Sequence, residues 1–390
     1  MKQTAKIIPC YAADTSGVCA ALYELGGMIA VHDASGVNST YATHDEPRWE
    51  DMQSMIYVSG LTELDAILGN DEKFIADVTA AAADQHPRFI AVCGSPMPMM
   101  IGVDFDAVAM EIEQRSGIRT FPLHTNGMRS YPEGASEALL EIAKESVLPP
   151  SEQIPDGVNI LGATPLDFGN LQEIESVRTW LTENGFSVVS CFAMGDSLET
   201  LAQAGRASVN LVVSYSGYAA AEYLYRQFGI PYVCGVPTGS AFSAVLAEAL
   251  RQASKSGKPE YPCTYRGTSG RKIVVIGESI CAGSIAAQLG LTGFDACLLC
   301  PLPYSDKLLA AGDADASAEA CIEQTLAEMQ PDSVIADPLY RFVLPKGVQH
   351  IPLPHYAFSG RCFERKMQNL IGTRFDTWLD SQNADEKRVG

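Results

Sequence analysis

With 390 residues, 47% of them apolar, the chain is long enough for two or three domains, and no uncharged apolar run approaches the ~20 residues of a membrane-spanning helix. The formal net charge of −20 argues against nucleic acid, whose phosphates are met with Lys and Arg. Eleven thinly spread cysteines, an odd number, argue against a disulfide framework, and the start of the chain lacks the apolar stretch of a secretory signal, so the expected setting is cytoplasmic.

In chain order, Cys10 sits in PCYAADTSGVCAAL just ahead of a helix, and His32 closes an apolar strand and opens the turn HDASGVNSTY. In YVSGLTELDAILGN (Tyr57–Asn70), Glu63 and Asp65 stand near a helix N-terminus, where acids are favourable whatever else they do. RFIAVCGS (Arg88–Ser95) reads as a buried strand with Cys93 at its end. A Met-rich run follows, suited to loop packing or to lining an apolar cavity, and then an amphipathic helix over Asp104–Ser116. A second unit begins at VNILGATPLDFGN (Val158–Asn170) and continues into a helix through Trp180, with Asn170 and Glu173 as a capping box. SVVSCF leads to a helix near Leu198, and VNLVVSY leads to AAAEYLYRQFG. A third unit runs from KIVVIGES (Lys272–Ser279) into CAGSIAAQLG, and DSVIADP adds a late strand.

Continuous apolar strands alternating with helices mean parallel sheets covered on both faces. The fold expected is α/β: three doubly wound, Rossmann-like domains over 1–150, 151–265 and 266–390, the last with a C-terminal helix returning to the body. Gly- and Pro-rich linkers are expected at Lys255–Lys272 and around Val147–Gly157. In such sheets ligands sit at the carboxyl ends of the strands.

No strand leads into G-x-G-x-x-G, and Gly257-Lys258 is followed by Pro259, so the chain should bind no nucleotide by the usual loops. Cys297 and Cys300 fall three apart in a strand and so point to opposite faces, which is poor for a shared metal. Gly277-Glu278-Ser279-Ile280-Cys281 lacks the second glycine of a nucleophile elbow, and its serine reads as a helix cap.

Several segments fall in a familiar order. Ser59, Leu61, Glu63, Asp65 and Gly69 come first, then Ile101, Gly102 and Asp104, then HTNGM (His124–Met128). NLVVSYSGYAAAEYLYRQFGIPYV closes the series. The set resembles component 1 of the nitrogenase family over roughly Pro9 to Leu370.

That resemblance implies a 4Fe–4S cluster at a subunit interface, with Cys10 and Cys93 at two of the family's cysteine positions and Val37 at a third. Two chains would still supply four thiolates, and Cys19 is a possible substitute. The alternative for Cys10 and Cys93 is two buried structural thiols. His32 is the candidate catalytic residue, its alternative a hydrogen-bonded turn histidine. The position of the catalytic subunit's cofactor cysteine is Ser214, and His355 lies only near that of the second ligand, so no FeMo-type cofactor and no dinitrogen reduction are expected.

The resemblance further implies a homodimer or paralogous heterodimer, an ATP-dependent P-loop iron protein as electron donor, and a small organic substrate. A cofactor-assembly scaffold and a metal-free ligand-binding relative are the alternatives.

Overall fold

The computed structural model describes residues 12–34, 46–150, 152–169 and 171–389. Cys10, Val37 and Asn170 of the expected capping box lie outside the described residues.

Thirteen strands among the described residues make three sheets. β1 (Met28–His32), β2 (Met55–Val58), β3 (Ile90–Gly94) and β4 (Thr120–Leu123) form the first, in the order β2-β1-β3-β4. β5 (Gly157–Leu161), β6 (Ser187–Cys191), β7 (Val209–Val212) and β8 (Tyr232–Cys234) form the second, in the order β6-β5-β7-β8. The third holds β9 (Lys272–Ile276), β10 (Asp295–Cys300), β11 (Ala314–Asp315), β12 (Ser333–Ala336) and β13 (Gln349–Pro352), in the order β11-β10-β9-β12-β13. Every pairing within them is parallel. In each sheet the order reverses direction beside its first strand in sequence, which opens a crevice at the carboxyl ends.

Strand alternation decides what each side chain of the first sheet meets. Ile29, Val31, Ala91 and Cys93 face inward, into a core continuous with the second sheet. Met28, Ala30, Ile90 and Val92 face outward, under Phe74, Val108 and Ile112 of the covering helices. The inward face is closed by the helices Asp14–Leu22 and Tyr131–Ser146, which cross at two glycines. A Cβ on Gly17 would lie 2.0 Å from the carbonyl oxygen of Tyr131, and one on Gly134 would lie 1.9 Å from that of Asp14. No larger residue permits that approach.

The stretch Lys255–Lys272 is not a free linker. Its glycines and prolines turn the backbone, but the segment is anchored along its length. Glu260 bridges to Val233, Cys263 is fully buried, and Arg266 pairs with Asp313 at 2.8 Å in the interior. The C-terminal helix Arg374–Val389 packs Phe375 and Trp378 into the core of the third sheet. Among the described residues no helix is long and apolar enough to cross a membrane.

Candidate functional site

The carboxyl ends of the second and third sheets converge on one cavity of about 110 Å³. Asp167 reaches it from the turn after β5, Glu278 and Cys281 from the turn after β9, and His355 from the segment after β13. Each stands a few residues beyond a strand, where doubly wound folds place ligands.

Glu278 is fully buried and holds its own turn together. Its carboxylate accepts from the Cys281 amide at 2.8 Å, the Ile280 amide at 3.0 Å and the Ser279 hydroxyl at 2.8 Å. It also accepts from the Tyr215 amide of the second sheet's loop, at 3.0 Å, so one side chain fixes both walls. Burial, then the neighbouring Asp167, raises its pKa. The same causes, with Glu278 ahead of Asp167, hold the Cys281 thiol well above the ordinary range, and it donates to the Val213 carbonyl at 3.2 Å.

The Asp167 side chain is enclosed and accepts hydrogen bonds from the Tyr131 hydroxyl and, at 2.8 Å, from the Thr164 hydroxyl. Ligand atoms of Asp167, Glu278 and Cys281 all lie within 4.8 Å of one another.

His355 is the odd member. Its ring stacks on Phe358 at 4.5 Å, and its backbone amide is held by Asp337 at 2.9 Å. Both ring nitrogens are buried without a hydrogen-bond partner, the nearest charge being Asp167 Oδ1 at 3.6 Å from Nε2. An imidazole left with both nitrogens idle in a polar cavity is costly unless something else uses them. Glu173 lines both the cavity and an adjoining recess of about 150 Å³. Burial pushes its carboxyl up to about 8, against the pull of Arg374.

The structure places the residues singled out in the sequence elsewhere. His32 lies on the outward face of the first sheet, 3% exposed, stacked on Phe74 at 4.3 Å, with Nδ1 2.8 Å from the Ser59 hydroxyl. It does not line the cavity. Cys93 is one position out of phase with it on the neighbouring strand and points the opposite way, into the core with Val18 and Cys19. Ser214 is fully buried and donates to the Gly162 carbonyl at 2.7 Å, locking the backbone beneath the cavity.

Asp167, Glu173, Glu278 and Cys281 were missed as site residues. Their signal was position alone: each follows the end of a predicted strand.

The resemblance to nitrogenase component 1 implies an iron–sulfur cluster between subunits, and the structure holds Cys93 in the interior. Its side chain is enclosed in the core with Val18 and Cys19, whereas a cluster shared between subunits needs a thiolate at an accessible edge.

Residues 16–277 match the family of nitrogenase component 1 type oxidoreductases. The chain is 29% identical over 189 residues to the nitrogenase iron-molybdenum cofactor biosynthesis protein NifE of Clostridium pasteurianum, covering 47% of this chain and 40% of that protein. It thus spans well under two thirds of that relative's length. Over 370 residues it is 21% identical to one of the subunits of the light-independent protochlorophyllide reductase of Leptolyngbya boryana, covering 80% of this chain and 72% of that one. A solved structure of nitrogenase Cp1 at pH 5 superposes with a TM-score of 0.65 at 16% identity, over 98% of this chain and 90% of the other, which speaks for the fold. With the family's match running from the first domain through the second sheet to the turn that carries Glu278, the chain belongs to the nitrogenase component 1 type oxidoreductases.

Proposed function

We propose that this chain is a nitrogenase-like reductase subunit that reduces an organic substrate, not dinitrogen, in the cavity between the second and third sheets. Electrons would come from an ATP-dependent iron protein. The observation that carries this reading is that one cavity is lined by His355, whose ring nitrogens have no hydrogen-bond partner, and by Glu173, whose carboxyl burial raises to about 8. A reduction that adds an electron pair to an organic bond must add protons as well, and an acid with a pKa near working pH supplies them. His355 would orient the accepting atom, and Glu173, facing both cavity and outer recess, would be reloaded from solvent.

The size of the cavity bears on the substrate. About 110 Å³ is far below the ~300–1,000 Å³ of a drug-sized site, so a small organic molecule suits it. Ser214, committed to the Gly162 carbonyl, favours the expectation that no complex metal cofactor is held here. Because the Cys93 side chain is enclosed in the core and Cys10 lies outside the described residues, this reading rests on the cavity.

Partner docking has support at the surface. The short helix Glu63–Leu68 buries none of its residues, and exposes Leu64, Ile67 and Leu68 by 64%, 73% and 69%. Beside it, Pro96–Ile101 exposes Met99 and Met100. Contiguous apolar surface of this kind marks a protein interface, here with a second subunit of the same type.

Under anaerobic conditions, with an iron protein, MgATP and dithionite, the chain should consume reductant when a small-molecule extract is supplied. Glu173→Gln and His355→Ala should slow that consumption at least roughly tenfold with the circular dichroism unchanged. Consumption indifferent to ATP and to both substitutions would overturn the reading. A cofactor-assembly scaffold is the second reading, favoured by the metal-capable spacing of Asp167, Glu278 and Cys281; a scaffold would release metal to a partner and consume no reductant.

A further inference from the structure

The lining of the cavity is lopsided in charge. Asp167, Glu173, Glu278 and Asp337 bring four carboxyls to it, Cys281 brings a thiol, and no Lys or Arg is among the residues that line it. Buried acids are ordinarily paired with a base, neutralised by protons, or gathered around a metal ion. Here the base is missing from the wall.

We propose that the cavity binds a single divalent transition-metal ion of the zinc or ferrous class, ligated by Cys281 Sγ and one oxygen each of Asp167 and Glu278. This deepens the reading that the cavity is the working site, and it is distinct from the interface cluster that the family implies.

Four observations converge. The three ligand atoms lie within 4.8 Å of one another, and ligands around a tetrahedral ion sit roughly 3.5 Å apart, so modest side-chain rotations close the set. The donors come from the turns after β5 and β9, and these are tied through the loop after β7: Glu278 accepts from its Tyr215 amide, and its Ser214 hydroxyl donates to the Gly162 carbonyl of the turn that leads to Asp167. The mix of one sulfur with carboxylate oxygens selects a borderline divalent ion and disfavours Mg²⁺ and Ca²⁺, which take oxygen donors. Finally, His355 stands with Nε2 3.6 Å from Asp167 Oδ1, too far for a hydrogen bond and suited either to orient that ligand or to join it on the ion. Three protein ligands leave a coordination position open toward the cavity, where an oxygen of the substrate could be polarised.

The test uses the intact chain and the metals alone. Co²⁺ titrated into protein stripped of metal should give tetrahedral visible absorption with a sulfur-to-cobalt charge-transfer band, and Zn²⁺ should displace it while Mg²⁺ should not. Cys281→Ser should abolish the charge-transfer band. Asp167→Asn should weaken Zn²⁺ binding by roughly tenfold or more. The substitutions Cys10→Ser, Cys321→Ser and Cys362→Ser should leave both unchanged. If Cys281→Ser fails to fold, a Zn²⁺-induced rise in melting temperature that is present in the wild type and lost in Asp167→Asn decides the same point. Binding that survives both site substitutions, that follows Cys10, or that is absent from the wild type overturns the proposal. ATP-dependent reductant consumption by a chain that binds no Zn²⁺ or Co²⁺ would sink the metal site and leave the reductase reading standing.

Discussion

His32 is a histidine with no freedom left. Its ring lies flat against Phe74, its Nδ1 is engaged by Ser59, and 3% of its surface reaches solvent. Burial drives its pKa down to about 4, although Asp33 and Asp65 pull the other way. The sign follows directly. The folded state keeps the ring neutral down to about pH 4 while the unfolded chain takes up a proton near 6.5, so the unfolded state binds more protons across that window and stability falls as pH drops through it. The share owed to His32 is roughly 3 kcal/mol over the full window. His32→Asn should therefore flatten the pH dependence of unfolding between those limits, whatever it costs at neutral pH. Urea denaturation of both proteins at several pH values measures it, and parallel curves would remove His32 as the cause.

The same residue marks where sequence reading ran out. His32 was visible as a strand-ending histidine beside a turn, but which face it takes depends on the phase of the strand. Register pairs Val31 with Cys93 and His32 with Gly94, so the two residues singled out together part to opposite sides of one sheet. Alternation makes that a choice of two, and nothing local decides it.

At the scale of elements, the units that repeat as apolar strand then helix were legible because a strand buried on both faces needs an unbroken apolar run. IVVI is such a run, VNLV is one but for Asn210, which accepts a hydrogen bond from Asn159, and both became central strands. The cavity was not legible, because Asp167, Glu278 and His355 are brought together by three separate turns and none makes a motif with its neighbours. The helix crossing is similarly hidden, since Gly17 and Gly134 look like helix-weakening glycines until the two helices meet. Their contact has a consequence beyond packing. Asp14, at the start of one helix, accepts from the amides of Asn126 and Gly127 at 2.9 and 2.8 Å and so moulds the loop leading into the other. Gly134→Ala would gain helix propensity yet drive a methyl group into the Asp14 carbonyl. It should destabilise the protein by about 1–3 kcal/mol, and more if the helices cannot separate. A lower midpoint in urea at unchanged slope would bear this out; a rise, as propensity alone predicts, would contradict it.

Across the whole molecule, the first and second sheets are coupled by a buried cation. Arg48 is 7% exposed and spends its guanidinium on Glu46 at 2.6 Å and Glu24 at 2.7 Å, and on the carbonyls of Ala20 at 2.8 Å and Ala193 at 3.1 Å. Ala20 and Glu24 belong to the first sheet's helix and its exit, and Ala193 to the loop beyond β6 in the second sheet. Ala193 has a φ of 91°, a conformation a non-glycine residue holds only when its surroundings impose it. Arg48 on its carbonyl and Glu24 on the Gly195 amide at 2.6 Å are what impose it. Removing the cation would leave two buried carboxylates without a counter-charge, which costs far more than the ion pair itself contributes. Arg48→Met should thus destabilise the chain by about 3–5 kcal/mol, and amide exchange should rise first in the loop from Phe192 to Asp196. Arg48→Lys should recover little, because an ammonium cannot serve two carboxylates and two carbonyls in the plane that the guanidinium spans. Replacing Glu46 by Leu in the Met variant should recover part of the loss by removing one stranded charge. If instead the lysine variant is as stable as the wild type, Arg48 is a surface-like ion pair, and the two sheets are held together by their shared apolar core alone.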